Sequence, residues 1–253
     1  MDQQNKTVII TGGSKGIGAA CAQLFFTEGY NVAILDLVAS GKSDTNQRWF
    51  YKTCDVSNEI QVKEAVKEVQ EKFGSIGYLI NNAAIQRYGT VTETTLAEWD
   101  TVMNVNLKSA FLCSKYAIPH MLTNGSGVII NVASVQAFLS QQKVAAYTTA
   151  KSALLGLTRS IAVDYSPTIR CVAVCPGTID TPMLRDAIAL SPDPDAVMQE
   201  CIDMHLMKRI GSPQEVAELI LFLCSDKASF ITGQAIRIDG GLGITIQGSK
   251  KDT

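Results

Sequence analysis

The sequence predicts a single-domain α/β protein: a doubly wound, seven-stranded parallel sheet with helices on both faces. Short β-rich runs alternate with longer helical patterns along the whole chain, as in proteins whose parallel strands are joined by helices. Several of the runs are continuously apolar, which is typical of strands covered on both faces. The chain has 253 residues without a repeat or linker, so one domain spanning residues 1–253 is expected.

The pattern places seven strands and five helices. The strands lie at residues 8–11, 31–35, 48–54, 78–81, 127–132, 169–174 and 235–238, and the helices at residues 16–28, 59–73, 96–122, 146–165 and 213–225. Ser212 caps the last helix and Pro213 occupies its first turn. Right-handed crossovers bring the carboxyl ends of such strands to one edge, where ligands bind.

Residues 176–211 interrupt this alternation. The segment is long for a connection and contains Pro182, Pro192 and Pro194. A long segment after a sheet strand is typical of a binding element. We therefore expect a substrate-binding lid at about residues 176–211.

Composition excludes several classes of protein. The formal net charge is −2 and acids and bases are interspersed, so neither nucleic acid nor a membrane surface is an expected partner. The amino-terminal residues are polar and no apolar run reaches membrane-spanning length, so a cytoplasmic protein is expected. The seven cysteines include no C-x-x-C pair and there are two histidines, which predicts reduced, mostly buried thiols and no metal site.

The segment TGGSKGIG, residues 11–18, joins the first strand to the first helix. Its glycines, Gly12, Gly16 and Gly18, permit a tight turn and a close approach of a diphosphate to the backbone. The free N–H groups at the start of the helix favour that anion. The same motif assigns Ser14, Lys15 and Ile17 to the cofactor site. The spacing is not the usual G-x-G-x-x-G, and a tight strand-to-helix turn would also explain three glycines.

Asp36, at the end of the second strand, favours NAD over NADP. A carboxylate there accepts hydrogen bonds from ribose hydroxyls and repels a 2′-phosphate. Lys15 argues in the opposite direction, because a cation in the glycine turn suits a 2′-phosphate. Five residues after the third and fourth strands are predicted to border the adenosine, although ordinary turn chemistry would also explain them: Asp55, Val56, Asn82, Ala83 and Ala84.

Tyr147 and Lys151 lie one helical turn apart on the same helix face. A phenol titrates near pH 10, but a neighbouring ammonium and a bound nicotinamide cation lower its pKa and make it a usable proton acceptor. Ser134, at the end of the fifth strand, supplies a hydroxyl for the substrate oxygen. Asn106 stands in a long helix, where a satisfied buried amide is the alternative interpretation.

Together these pieces resemble the short-chain dehydrogenase/reductase family, which has a Rossmann fold, over nearly the whole chain. The matching stretches are TGGSKGIG (11–18), Asp36, CDV (54–56), NNAA (81–84), NVNLKSAF (104–111), Ser134, YTTAK (147–151), PGTIDTP (176–182) and ITGQAIRIDGG (231–241). One departure is NNAA where the family more often has NNAG, which requires a negative φ at Ala84.

The resemblance implies a role for each of these residues. Ser134 positions the substrate oxygen and Tyr147 is the acid/base. Lys151 binds the nicotinamide ribose and lowers the pKa of the tyrosine, while Asn106 holds a water molecule of a proton relay. The resemblance also implies a homotetramer. Asn82, Ile179 and Thr181 would border the nicotinamide, and Pro176 and Gly177 would also belong to the cofactor site.

Glutamines cluster where the family has its substrate pocket, at Gln86, Gln136, Gln141 and Gln142. Together with Ser134 and Tyr147, Gln86, Gln136 and Gln142 are the predicted substrate residues, because amides suit a substrate with several hydroxyls. SVQAF, IAVDYSPTIRCVAVCPGTIDTPMLR and SFITGQAIRIDGGL look most like the family's aldose 1-dehydrogenases, which implies oxidation of a sugar to its lactone.

Two alternatives stay open. A 3-hydroxyacid or other secondary-alcohol dehydrogenase would use Arg185, Lys208 or Arg209 to pair with a carboxylate. A non-catalytic, NAD-binding scaffold would be expected to lose Ser134, Tyr147 or Lys151, and all three are present.

Overall fold

A computed structural model describes residues 7–38 and 47–244. Seven strands form one parallel sheet in the order β3-β2-β1-β4-β5-β6-β7, which confirms the predicted architecture. The connections turn in opposite directions from β1, so a cleft opens between the carboxyl ends of β1 and β4. The strands are β1 Thr7–Thr11, β2 Asn31–Asp36, β3 Trp49–Thr53, β4 Tyr78–Asn81, β5 Gly127–Val132, β6 Ile169–Pro176 and β7 Ala235–Ile238.

The described residues contain eight α-helices, two of which lie in the predicted lid. They are α1 Gly16–Thr27, α2 Glu59–Phe73, α3 Leu96–Met103, α4 Ser109–Thr123, α5 Ala145–Tyr165, α6 Pro182–Ile188, α7 Pro194–Asp203 and α8 Pro213–Cys224. The single helix predicted at 96–122 is two helices joined by a π-helical segment, Asn104–Lys108. Thr95 and Ser212 begin α3 and α8 with capping boxes, as the sequence predicted for Ser212.

Two hydrophobic layers cover the sheet, one on each face. Ile10 of β1 packs in one layer with Phe25 of α1 and Ile220 of α8. Its neighbour Ile9 points to the opposite face and packs in the other layer with Val66 of α2. Alternate residues of one strand therefore meet different helices, which explains the continuously apolar strands. Burying each such side chain contributes about 1.5–3 kcal/mol.

The apolar stretch at residues 153–163 is largely buried within the chain. Leu154 and Leu155 of α5 are 1% and 9% exposed, whereas Val163 of the same helix is 80% exposed. The packing of the two leucines therefore needs no partner subunit.

All seven cysteines are free thiols; six are buried and Cys201 is half-buried. This confirms the prediction of reduced, mostly buried thiols. Within residues 7–38 and 47–244, none of the helices has the length and apolar character to cross a bilayer.

The two ends of the predicted lid segment are tied together. The N–H of Gly211 donates to the carbonyl of Thr178 at 2.9 Å, and the N–H of Asp180 donates to the carbonyl of Gly211 at 2.9 Å. Between these points the chain forms α6 and α7, and α7 has no buried residue among its ten. The segment is therefore a closed loop of helices that rests on the sheet edge.

Candidate active site

A cavity of about 790 Å³ opens at the carboxyl ends of the strands, between the glycine turn and the lid. Its lining joins the predicted cofactor, catalytic and substrate residues in one continuous space. The predicted residues that border it are Gly12, Lys15, Gly16, Ile17, Asp36, Asp55, Val56, Asn82, Ala83, Ala84, Gln86, Ser134, Gln136, Tyr147, Lys151, Pro176, Gly177, Ile179 and Thr181.

The glycine turn is a preformed cradle. Gly12 and Gly16 have φ values of 64° and 57°, which side-chain-bearing residues rarely adopt. A Cβ atom at Gly18 would collide with the carbonyl oxygen of Gly12 and lie 2.6 Å from Nδ2 of Asn82. All three glycines are therefore required by the geometry, and the exposed start of α1 is shaped for an anion such as a diphosphate.

Asn82 and Thr11 brace this cradle from behind. Nδ2 of Asn82 donates to the carbonyls of Thr11 and Gly12, at 3.0 Å each. Oγ1 of Thr11 accepts from the N–H groups of Asn82 and Ala83, also at 3.0 Å. The ends of β1 and β4 are thus fixed to each other at the floor of the cleft.

The carboxylate of Asp36 lies at the far end of the cradle. Its oxygens accept from the N–H groups of Ser14 at 3.0 Å and Val38 at 3.4 Å. Ser14 itself does not border the cavity, so its contribution is to hold Asp36. The side chain of Lys15 forms no capping bond and the residue is exposed. Oδ1 of Asp55 accepts from the N–H and hydroxyl of Ser57, at 2.9 and 2.7 Å.

Ser134 and Tyr147 come together at the opposite end, each 8% exposed. Burial raises the pKa of Tyr147 to about 12, and a hydrogen bond with Ser134 acts in the opposite direction. The sequence predicted a phenol made more acidic by Lys151, whose ammonium lies 5.6 Å from the centre of the tyrosine ring. For the protein alone this expectation is wrong, because removal from water outweighs the nearby groups.

Lys151 is 2% exposed, and its Nζ donates to the carbonyl of Val132 at 2.7 Å. Burial lowers the pKa of Lys151 to about 8. The side chain therefore reaches the cavity from α5 while β5 fixes its end. Both features place a proton-carrying group beside Tyr147.

Asn106 lies in the π-helical segment, 2% exposed, and does not border the cavity. Its Oδ1 accepts from the N–H of Ile85 at 2.8 Å, and its Nδ2 donates to the carbonyl of the same residue at 2.8 Å. Asn106 therefore holds the loop that follows β4. The satisfied buried amide that the sequence allowed is therefore observed, and the predicted role of Asn106 in holding a water molecule stays a prediction.

Ala84 has the negative φ that it needs in order to replace the glycine more common in the family. In the described chain, the non-glycine residues with positive φ are Lys143 and Lys208. Gln86 and Gln136 border the cavity as predicted, whereas Gln142 is exposed and does not; its neighbour Gln141 does. The loop before α5 turns Gln142 outwards.

Three kinds of site residue were not predicted from the sequence. Thr11, the first letter of TGGSKGIG, could have been found because a hydroxyl follows the strand directly. The carbonyl of Val132 and the backbone of Ile85 gave no signal, since any residue has these groups. The apolar wall contributed by the lid was also not predicted in detail: Met183, Leu184, Ala187, Ile188, Val197 and Met204.

The arrangement can hold a dinucleotide along the strand ends, with a phenol and a hydroxyl at one end. An extended trough with glycines against its floor and a carboxylate at the ribose position fits such a cofactor.

Comparison with known proteins agrees with this geometry. Residues 12–243 match the family model described as enoyl-(acyl carrier protein) reductase.

Similar proteins include several oxidoreductases. The structure of ligand-free aldohexose dehydrogenase from Thermoplasma acidophilum is 42% identical, with a TM-score of 0.93 and 98% of each chain covered. A 2-(R)-hydroxypropyl-CoM dehydrogenase from Xanthobacter autotrophicus is 37% identical over 93% of this chain and 98% of its own. A 3-oxoacyl-[acyl-carrier-protein] reductase from Thermotoga maritima is 34% identical over 96% and 99%.

These matches cover almost the full length of both partners, and their oxidoreductase activities suit the phenol, hydroxyl and lysine grouped in the cavity. The chain therefore belongs to the short-chain dehydrogenase/reductase family.

Proposed function

We propose that this oxidoreductase transfers a hydride from the anomeric carbon of an aldose sugar to NAD, which gives the lactone. The observation that carries the proposal is the absence of an unpaired cation at the substrate end of the cavity in the described chain. Lys15 and Lys151 are the lysines or arginines that border the cavity in the described chain. Lys15 lies in the glycine turn, and Lys151 is already bound to the carbonyl of Val132.

The three cations that would recognise a carboxylate are all engaged elsewhere. Arg185 forms two bonds with Asp180, at 2.9 and 3.0 Å. Arg209 forms two with Glu215, at 2.9 and 2.6 Å. Lys208 donates to the carbonyl of Asp203 at 3.0 Å. None of the three cations borders the cavity, so an uncharged substrate is favoured over a 3-hydroxyacid or a sulfonate.

The substrate end combines amides with an apolar wall. Gln86, Gln136 and Gln141 offer donors and acceptors, and Glu200 of α7 adds a carboxylate. Met183 and Leu184 of α6 line the same cavity. A pyranose has hydroxyls at its edge and C–H groups on its faces, so it matches both surfaces.

Bound NAD supplies the hydride acceptor, and the chain supplies alignment and proton transfer. Ser134 holds the anomeric oxygen. As the hydride leaves the carbon, the O–H bond breaks and the phenolate of Tyr147 accepts the proton, which leaves the lactone carbonyl. Lys151 stabilises the deprotonated phenol by its charge.

The preference for NAD rests on Asp36. Its carboxylate is fixed by the N–H groups of Ser14 and Val38, so it cannot turn away from a 2′-phosphate without losing both bonds. Lys15 is exposed and free to remain in solvent. A fixed negative charge at this position favours ribose hydroxyls.

An NADH-formation screen with aldohexoses, 3-hydroxybutyrate and 2-propanol tests the proposal. We expect the highest kcat/KM with an aldose and NAD. Activity on 3-hydroxybutyrate alone would remove the sugar assignment. Tyr147→Phe should bind NAD as the wild type does, but its turnover should fall by orders of magnitude. Unchanged turnover in this variant would overturn the acid/base assignment. A wild-type protein that binds NAD without oxidising any alcohol would favour the non-catalytic scaffold.

We also propose that the protein is a cytoplasmic homotetramer. The resemblance to the family supports this, and Phe230 stands fully exposed beside the edge strand β7. Light scattering after size exclusion measures the mass directly, and a monomer at micromolar concentration would refute the proposal.

A further inference from the structure

A buried histidine lies outside the catalytic group. His205 follows α7 and is 2% exposed. A buried imidazole is costly unless both ring nitrogens have partners. The partners of this ring are therefore informative.

Both ring nitrogens contact backbone. Nδ1 lies 2.6 Å from the carbonyl of Cys201, in the last turns of α7. Nε2 lies 3.2 Å from the N–H of Thr178, in the loop after β6. A carbonyl can only accept and a backbone N–H can only donate. The ring is therefore neutral, with its hydrogen on Nδ1 and a lone pair on Nε2.

Glycines make room for the ring on two sides. A Cβ atom at Gly177 would lie 3.0 Å from Nε2 of His205, and one at Gly240 would lie 3.3 Å from its Cδ2. The loop after β7 also bonds to the same turn, since the N–H of Met207 donates to the carbonyl of Gly240 at 3.2 Å. The imidazole is thus wedged where the lid, the β6 loop and the β7 loop meet.

The loop held by Nε2 forms one side of the reacting end. Thr178, Ile179 and Thr181 all border the cavity. Gly211 holds Thr178 through its carbonyl, and His205 holds it through its N–H. Nδ1 of the ring holds α7 through the carbonyl of Cys201. Three residues of this helix, Val197, Glu200 and Cys201, also border the cavity.

We propose that His205 is a positioning residue that couples the lid to the reacting end of the site. One hydrogen bond fixes the loop at residues 177–181, and the other fixes the end of α7, so the two walls keep one relative position. This rests on the proposed dehydrogenase function. The ring itself does not touch the reacting atoms.

Two isosteric variants separate the two bonds. In His205→Gln, the amide oxygen reaches as far as Nε2 and accepts from Thr178, but the bond to Cys201 is lost. In His205→Asn, the amide nitrogen lies where Nδ1 was and donates to Cys201, but the bond to Thr178 is lost. His205→Leu removes both, and His120→Gln on α4, which does not border the cavity, is the matched control.

The kinetic expectation differs for each variant. His205→Asn should lower kcat about tenfold with little change in KM, because the loop beside the reacting groups is released. His205→Gln should keep kcat within about twofold and raise KM several-fold, because the lid is released. His205→Leu should show both changes, and His120→Gln neither. Equal effects of Gln, Asn and Leu would show that the ring only fills space and would overturn the proposal.

Amide hydrogen exchange gives a readout that needs no substrate. His205→Asn should speed exchange at residues 177–181, and His205→Gln should speed it at residues 194–203, with the remaining chain unchanged. If exchange separates in this way while no alcohol is oxidised, the coupling stands and the proposed function fails. If exchange rises equally in both segments, the coupling fails whatever the activity.

Discussion

Replacement of Lys151 by Met should make the stability of the protein less dependent on pH. Lys151 is almost wholly buried, and its pKa falls from 10.5 to about 8 on folding. At pH 7 the folded state therefore holds an ammonium in an unfavourable place, at a cost of ~3 kcal/mol by the usual ~1.4 kcal/mol per pKa unit. Methionine has a similar length and no charge, so the cost disappears in the variant.

The sign of the effect follows from proton binding. Between pH 8 and pH 10.5 the unfolded chain binds more protons at this lysine than the folded chain does, so stability rises with pH in that range. From pH 7 to pH 9 the cost falls from ~3 to ~2 kcal/mol. The wild type should therefore gain ~1 kcal/mol relative to Lys151→Met.

Urea unfolding of both proteins at pH 7, 8 and 9 measures this difference. The variant also leaves the carbonyl of Val132 without its donor, at ~1–3 kcal/mol, but that cost does not change with pH and cancels from the comparison. A difference between the two proteins that stays flat, or that moves against the wild type as pH rises, would refute the burial argument. Activity should be lost in the variant at every pH.

Three further substitutions test the cofactor end and its support. Gly18→Ala should cost ~2–5 kcal/mol in urea unfolding, since the new methyl group meets Gly12 and displaces Asn82 from its two bonds; retention of full stability would contradict the described turn. Asp36→Ala should lower the ratio of kcat/KM for NAD to that for NADP about tenfold or more, and a wild type that already prefers NADP would show that Lys15 dominates. Asn106→Leu should cost ~2–5 kcal/mol because it leaves the N–H and carbonyl of Ile85 unpaired, and a smaller loss in urea unfolding would mean that water replaces the amide.

The strands and the cofactor cradle could be predicted from the sequence because each of them allows only certain residue types at its positions. A strand buried on both faces has to be apolar along its middle, as residues 8–10 of β1 and residues 78–80 of β4 are. A backbone with positive φ has to be glycine, as at Gly12 and Gly16. These requirements act on individual positions, so a single sequence shows them.

Features that depend on backbone groups or on helix geometry could not be predicted. No residue type in the π-helical segment Asn104–Lys108 sets it apart from the helices on either side, so a single helix was expected at residues 96–122. The partner of Asn106 is the backbone of Ile85, and that of His205 is the backbone of Thr178 and Cys201. The pattern therefore marked Asn106 but could not show which backbone groups its amide binds, and it did not mark His205.

The pKa of Tyr147 is raised even though a lysine lies one helical turn away, because burial is the larger effect. The i, i+4 spacing brings the two side chains together, yet burial moves their pKa values apart, to about 12 for Tyr147 and about 8 for Lys151. In the protein alone, burial shifts both groups towards their neutral forms, and although Lys151 still carries its charge at pH 7, the pair does not by itself make Tyr147 a base. The acidity needed for alcohol oxidation has to come from whatever else occupies the cavity. We therefore expect Tyr147 to act as a proton acceptor only when a cation binds beside it, in the continuous space that the cradle, Asp36 and the pair line.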